Sequence, residues 1–177
     1  MFRAALALII LLDLREQMEG DPNLRSRESI QNAFVLFMNK TQRVIDVYWV
    51  DYEGKFKPYM KLDPGGRTII NTFSTHPWVF KDSYTGERMQ VENSDVFWPK
   101  PFFVVNLQPN NDPAILRKQV DIHFPMRNLQ QNAMWAIVRQ LQRIESIDTL
   151  EIPGILKAEL KTIFKEYDKH RQRYINR

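Results

Sequence analysis

The chain has 177 residues, 44% of them hydrophobic, and a formal net charge of +4, which is enough apolar content for a packed core and argues against wholesale disorder. It contains no cysteine; that excludes a disulfide framework, a cysteine nucleophile and cysteine zinc ligation, and fits an intracellular protein. Basic residues are dispersed until the C-terminal tail, so nucleic-acid binding has little support.

Arg3 precedes the apolar run Ala4–Leu12, which is too short to span a bilayer and has no small-residue cleavage site after it. Three readings stay open: a short helix, a targeting segment, or residues upstream of a start at Met18. Gly20 to Ser29 is polar and reads as a linker or arm. Strand signals then begin. Phe34–Met38 is short and apolar. Val44–Val50 is rich in β-branched and aromatic residues, Lys57–Leu62 follows a turn at Gly54, and Asp63-Pro64-Gly65-Gly66 is a strong turn before Thr68–Thr75. Further strands are expected at Trp78–Phe80, Arg88–Val91, Val96–Trp98, Phe102–Leu107 and Lys118–Phe124. Short strands separated by turns argue for a β-sandwich.

The period then changes. Leu129, Ala133, Met134, Ile137, Val138, Leu141 and Ile144 recur at helical spacing and cover a wide arc, so this helix needs covering on two sides. A second helix is expected after Ile152-Pro153, with Ile155, Leu156, Leu160, Ile163, Phe164 and Tyr167 on its apolar face. The fold class is β + α: a sandwich of about seven or eight strands, then a small domain of about three helices whose last helix is free to pack back on the sandwich. The divisions are 1–28, an arm with an uncertain N-terminus; 29–124, the sandwich; and 125–177, the helical domain.

The run Asn71-Thr72-Phe73-Ser74-Thr75-His76-Pro77-Trp78 carries the chemistry. As a strand it would put Thr72, Ser74, His76 and Trp78 on one face; a turn near Thr75-His76-Pro77 removes Ser74 from the set. A hydroxyl, an imidazole and an indole suit a small ligand with one polar group on an apolar body. Standing alone, His76 also fits an ordinary turn histidine, and Trp49, Tyr52, Tyr59 and Trp78 each fit core packing. His123 and His170 read as solvated residues, and no histidine pair has metal-ligand spacing. Asp63–Arg67 lacks the glycine spacing and lysine of a phosphate loop. Asn39-Lys40-Thr41 is formally a glycosylation acceptor and reads as chance. The basic tail reads as a solvated helix face.

Phe34–Asn39, Val47-Tyr48-Trp49-Val50-Asp51-Tyr52-Glu53-Gly54, Pro58-Tyr59, Leu62, Pro64-Gly65, Ile70 and His76-Pro77-Trp78-Val79-Phe80-Lys81-Asp82 resemble the von Hippel–Lindau tumour-suppressor family, ungapped from about Phe34 to Asp82. Tyr84–Met89 and His123–Arg127 look like an invertebrate, insect-type member. The resemblance implies a non-catalytic substrate receptor of a cullin–RING ubiquitin ligase that recognises hydroxyproline in hypoxia-inducible factor α, in cytoplasm and nucleus. It implies no cofactor, no metal, no nucleic acid and no membrane partner. By the same resemblance the proline ring lies among Trp49, Tyr59 and Trp78, and its hydroxyl is read by Thr72 and His76. Tyr52, Ile70, Asn71 and Phe73 complete the peptide site; Tyr52, Asn71 and Phe73 stand where the family has phenylalanine, histidine and tyrosine.

Asn128-Leu129, Ala133 and Ile137 fit the family's elongin C-binding box, with Asn128 atypical and Ala133 in place of the usual cysteine. Leu129, Gln130, Asn132, Ala133 and Ile137 are thereby implied to meet elongin C, itself joined by elongin B, a cullin and a RING protein. Met134 and Val138 would face the chain's own helices. Two other readings remain: a sandwich scaffold for microtubule or matrix assembly without hydroxyproline readout, and a hydrolase using His76 as base, which requires a nucleophile and an orienting acid beside it.

Overall fold

The computed structural model describes residues 23–101 and 116–175. The expected elements at Ala4–Leu12 and Phe102–Leu107 lie outside the described residues. Six strands form two three-stranded sheets. In chain order they are β1 (Asn32–Asn39), β2 (Ile45–Val50), β3 (Phe56–Leu62), β4 (Arg67–Phe73), β5 (Trp78–Asp82) and β6 (Lys118–Ile122). One sheet has the order β4-β1-β6, with β1 antiparallel to β4 and parallel to β6; the other has the order β3-β2-β5, antiparallel throughout.

Alternation decides which side chains go inward. Along β1, Val35 and Phe37 are buried while Phe34, Leu36 and Met38 are partly exposed, as period two requires. They meet Ile45 and Val47 of β2, Ile70 of β4, Trp78 and Phe80 of β5, and Val120 and Ile122 of β6 in one core drawn from both sheets. Phe37 sits edge-on to Trp78, Phe80 and Phe97, with centroids 5.6, 4.9 and 5.7 Å away. Strand β5 is buried on both faces, because Val79 joins Leu24 and Val50 in a second cluster.

Among the described residues the count is six strands rather than seven or eight. Arg88–Val91 and Val96–Trp98 make only isolated bridges, pairing Arg88 with Lys81, Gln90 with His123, Val91 with Ser94 and Phe97 with Trp78. The cause is local. Glu92 and Asn93 adopt positive φ (52° and 63°), which folds the chain sharply back, and Pro99 and Pro101 offer no N–H beyond Trp98. The Asp63–Gly66 turn forms as expected: Gly65 has φ 72°, and a Cβ on Gly66 would stand 2.8 Å from the Asp63 carbonyl oxygen. Asn39 is fully buried. Its side-chain amide donates to the carbonyls of Arg43, Leu62 and Asp63 at 2.7, 3.0 and 3.0 Å, so this asparagine braces the turn and is closed to glycosylation.

The chain separates into two compact units. Gly20–Ser83 and Arg88–Pro125 form the strand unit, while Tyr84–Glu87 and Met126–Arg177 form the helical one. Among the described residues the helical unit holds α1 (Leu129–Gln140), a short 3-10 turn (Ile144–Ile147) and α2 (Gly154–Ile175), two α-helices and one 3-10 turn where about three helices are expected. The apolar periodicity past Gln140 reflects burial without continuation of the α-helix. Leu141 turns extended, yet Leu141 and Ile144 pack with Met134, Val138 and Ile147 in the same cluster. Pro153 ends the approach to α2, its carbonyl accepting from Leu156 and Lys157 at 3.0 and 3.2 Å. Glu87 enters this unit as a buried carboxylate beside Arg127, with Arg139 at 3.7 Å; both guanidinium groups lie over the Trp135 ring.

Candidate functional site

Between β4 and β5 the chain leaves one sheet and enters the other. The His76 N–H donates to the Phe73 carbonyl at 3.1 Å to close the turn, and Pro77 accepts from Val50 at 3.0 Å. Thr72 and Trp78 therefore belong to different sheets, and strict alternation is not what unites them. They meet directly: the Trp78 indole N–H donates to Thr72 Oγ1 at 3.2 Å, and both residues are buried.

Trp49 is the register partner of Trp78 across β2 and β5, and opposed residues of an antiparallel pair project to the same face. Tyr59, 58% exposed, stands edge-on to Trp78 at 5.1 Å. On the other side Trp49 lies 5.5 Å from the His76 ring and 5.8 Å from Tyr52, and Phe73 packs on His76 at 5.0 Å. The seven residues Trp49, Tyr52, Tyr59, Thr72, Phe73, His76 and Trp78 thus form one contiguous aromatic surface holding a hydroxyl and an imidazole. Ile70 is a buried member of the sandwich core. Asn71 is exposed, and its side-chain oxygen accepts from Arg117 at 2.7 Å.

Residues ahead of β1, read from sequence as a polar arm, complete the site. Leu24 is buried, the Ser26 N–H donates to Asp51 at 3.0 Å, and the Arg27 N–H donates to Thr75 at 3.2 Å. Ser26 accepts from the Trp49 indole N–H at 2.8 Å and donates to the Val50 carbonyl at 2.6 Å, fixing the Trp49 ring. Ser29 Oγ lies 3.1 Å from His76 Nε2. The one signal for this docking was Leu24, an aliphatic side chain within a polar stretch.

His76 is 8% exposed. Burial pushes its imidazole below the ordinary value, while a hydrogen bond to the Arg27 backbone works in the opposite direction. A backbone contact that favours the charged ring is one in which the ring donates to a carbonyl. Burial thus favours the neutral ring relative to a free imidazole. Nε2 lies 3.1 and 3.3 Å from the hydroxyls of Ser29 and Tyr52; with the ring proton placed on Nδ1, Nε2 is the acceptor of these contacts.

The Ser29–His76 pair has the nucleophile that a hydrolase needs, but no orienting acid: among the described residues no carboxylate hydrogen-bonds to His76, whose ring partners are the Ser29 and Tyr52 hydroxyls. A fixed Thr72 hydroxyl, a neutral acceptor nitrogen and aromatic walls make a binding arrangement for an apolar ring bearing a hydroxyl. Among the described residues no group of three or more His, Asp or Glu could hold a metal ion, and no helix is long and apolar enough to cross a membrane.

The helical unit offers a separate surface. Leu129 is 85% exposed, Gln130, Asn132 and Ala133 are exposed, and Ile137 is half-buried, whereas Met134 and Val138 are buried against the unit's own core. Asn128, atypical for the box, has a structural reason. Its Oδ1 accepts from the Gln131 N–H at 2.8 Å and the Gln131 side chain accepts from the Asn128 N–H at 3.0 Å, a reciprocal cap on α1.

The family model described as the VHL beta domain matches residues 24–103. The chain is 39% identical over 137 residues to "Protein Vhl" of Drosophila melanogaster, covering 74% of this chain and 77% of that protein.

Proposed function

The chain belongs to the von Hippel–Lindau family, and on that premise we propose that it is a non-catalytic substrate receptor of a cullin–RING ubiquitin ligase, reading hydroxyproline in hypoxia-inducible factor α. The observation that carries this reading is the pairing of the Trp78-held Thr72 hydroxyl with the buried His76 among Trp49, Tyr59 and Trp78. Thr72 Oγ1 already accepts from the indole, so its own proton is available to a ligand oxygen. His76 Nε2, met by the Ser29 and Tyr52 hydroxyls at 3.1 and 3.3 Å, would take a ligand hydroxyl in their place. A hydroxyl is both acceptor and donor and satisfies the two at once.

A site built on buried polar groups rejects the analogue that lacks the matching group, because each orphaned partner costs roughly 1–3 kcal/mol. One oxygen atom on a proline ring would thereby control capture, and with it degradation, in the cytoplasm and nucleus. The peptide backbone would add along the sheet edge beside the site. The exposed set Leu129, Gln130, Asn132 and Ala133, with Ile137, would bind elongin C, with elongin B, a cullin and a RING protein following.

The test is a titration with a hypoxia-inducible factor α peptide in plain and hydroxylated forms, followed by a pull-down that scores elongin C, elongin B and cullin together. His76→Ala is expected to abolish the preference for the hydroxylated form. Equal affinities for both peptides in the unsubstituted protein would overturn the reading. They would favour the scaffold role instead, for which the observation is that Asn71 is engaged by Arg117.

A further inference from the structure

Three polar atoms form a closed triangle at the solvent side of His76. Ser29 Oγ is 3.1 Å from Nε2, the Tyr52 hydroxyl is 3.3 Å from it, and the two hydroxyls are 3.2 Å apart. A neutral imidazole nitrogen accepts one strong hydrogen bond. Either hydroxyl can supply it while the other donates to its neighbour, so the empty site leaves no orphaned acceptor. Ser29 is exposed and Tyr52 is 51% exposed, whereas the ring beneath them is buried.

The ring does not need these hydroxyls to hold its place. Phe73 and Trp49 pack against it at 5.0 and 5.5 Å. What the two hydroxyls contribute is satisfaction of Nε2, while the Tyr52 ring itself also packs edge-on to His76 at 5.6 Å.

We propose that Ser29 and Tyr52 are specificity-determining residues whose hydroxyls occupy His76 Nε2 in the empty site and yield it to the hydroxyl of a hydroxyproline ligand. This rests on the hydroxyproline reading above and deepens it. A plain proline peptide then leaves Nε2 satisfied by the resident pair, and a hydroxylated one exchanges one hydrogen bond for another. The pair therefore narrows the discrimination that His76 would give without it.

The experiment compares the unsubstituted protein with Ser29→Ala, Tyr52→Phe and the double variant. Each is titrated with the same hypoxia-inducible factor α peptide with and without the proline 4-hydroxyl, and the ¹⁵N shift of His76 Nε2 is recorded in the unliganded state. In the double variant the affinity for plain peptide is expected to fall about fivefold or more, the effect of one orphaned buried acceptor. Affinity for the hydroxylated peptide falls less than that for the plain peptide, so the ratio widens, and the Nε2 shift moves towards that of a free acceptor. A ratio that stays constant or narrows while the unsubstituted protein prefers the hydroxylated peptide overturns the proposal alone. Absence of any preference in the unsubstituted protein is a different failure and overturns the hydroxyproline reading with it. Both substituted side chains are exposed, and circular dichroism checks that each variant is folded.

Discussion

The indole N–H of Trp78 donates to Thr72 Oγ1 across the junction of the two sheets, at 3.2 Å and in a buried setting. The contact makes one threonine serve two ends. It satisfies a buried indole, and it aims the threonine's own proton away from Trp78. Thr72→Val keeps the shape and removes the oxygen. Leaving the indole unpaired should lower unfolding stability by about 1–3 kcal/mol, seen in urea melts. The same change should weaken hydroxylated peptide selectively, leaving plain peptide nearly unchanged by calorimetry. Thr72→Ser should retain both properties; a serine variant as weak as the valine one would mean that the methyl, not the oxygen, is what matters.

His76 predicts a pH dependence with a definite sign. Burial lowers its folded-state pKa below the reference of 6.5, partly countered by the Arg27 backbone contact. Below 6.5 the unfolded chain takes up a proton that the folded chain resists, so folding stability is full above that pH and declines as pH falls through the interval down to the folded value. Protonation also fills the acceptor at Nε2, so affinity for hydroxylated peptide should fall on acidification, with a midpoint below 6.5. Titrating affinity against pH, with His76→Gln as the control that flattens the curve, checks this. A midpoint above 6.5 would place the ring in a different electrostatic setting.

The fold and the site were legible to different depths. Alternation and β-branched composition marked β1 to β6 because these strands face a core with one side or both. The Asp63–Gly66 turn was legible because proline and glycine leave few alternatives. The Arg88–Trp98 stretch shows the same residue types, yet positive φ at Glu92 and Asn93 breaks it into bridges, and nothing in local composition marks that. Within the site, Thr72, His76 and Trp78 were legible from spacing, although their reunion depends on a crossing between sheets. Ser26 and Ser29 were not, because their partners Trp49 and His76 lie 23 and 47 residues away and serines in a polar stretch carry no periodic signal. The Glu87 carboxylate among Arg127 and Arg139 was hidden for the same reason.

Asn128 should be worth more to α1 than its departure from the box pattern suggests. It and Gln131 cap each other's backbone N–H groups, and the loss of an N-cap side chain costs about 0.5–2 kcal/mol. Asn128→Ala is expected to speed amide exchange in the first turn of α1 by a corresponding factor, while Asn128→Ser should stay near the parent. Equal exchange in all three would mean that packing of Met134 and Val138 alone holds the helix start.

On the proposed reading, Leu129 would separate binding from folding. At 85% exposure its side chain adds little to the unit's own core, where Met134, Val138, Ile147 and Leu160 are buried. A large exposed aliphatic one turn ahead of the exposed Ala133 is a knob beside a small residue, the pattern that lets a partner helix or loop come close. Leu129→Glu should therefore leave the melting temperature nearly unchanged and prevent copurification with elongin C, whereas Val138→Ala should leave a cavity and cost about 1–3 kcal/mol of stability. If Leu129→Glu still copurifies with elongin C, the partner surface lies elsewhere on the helical unit. If it melts early, the exposed leucine is part of that unit's fold.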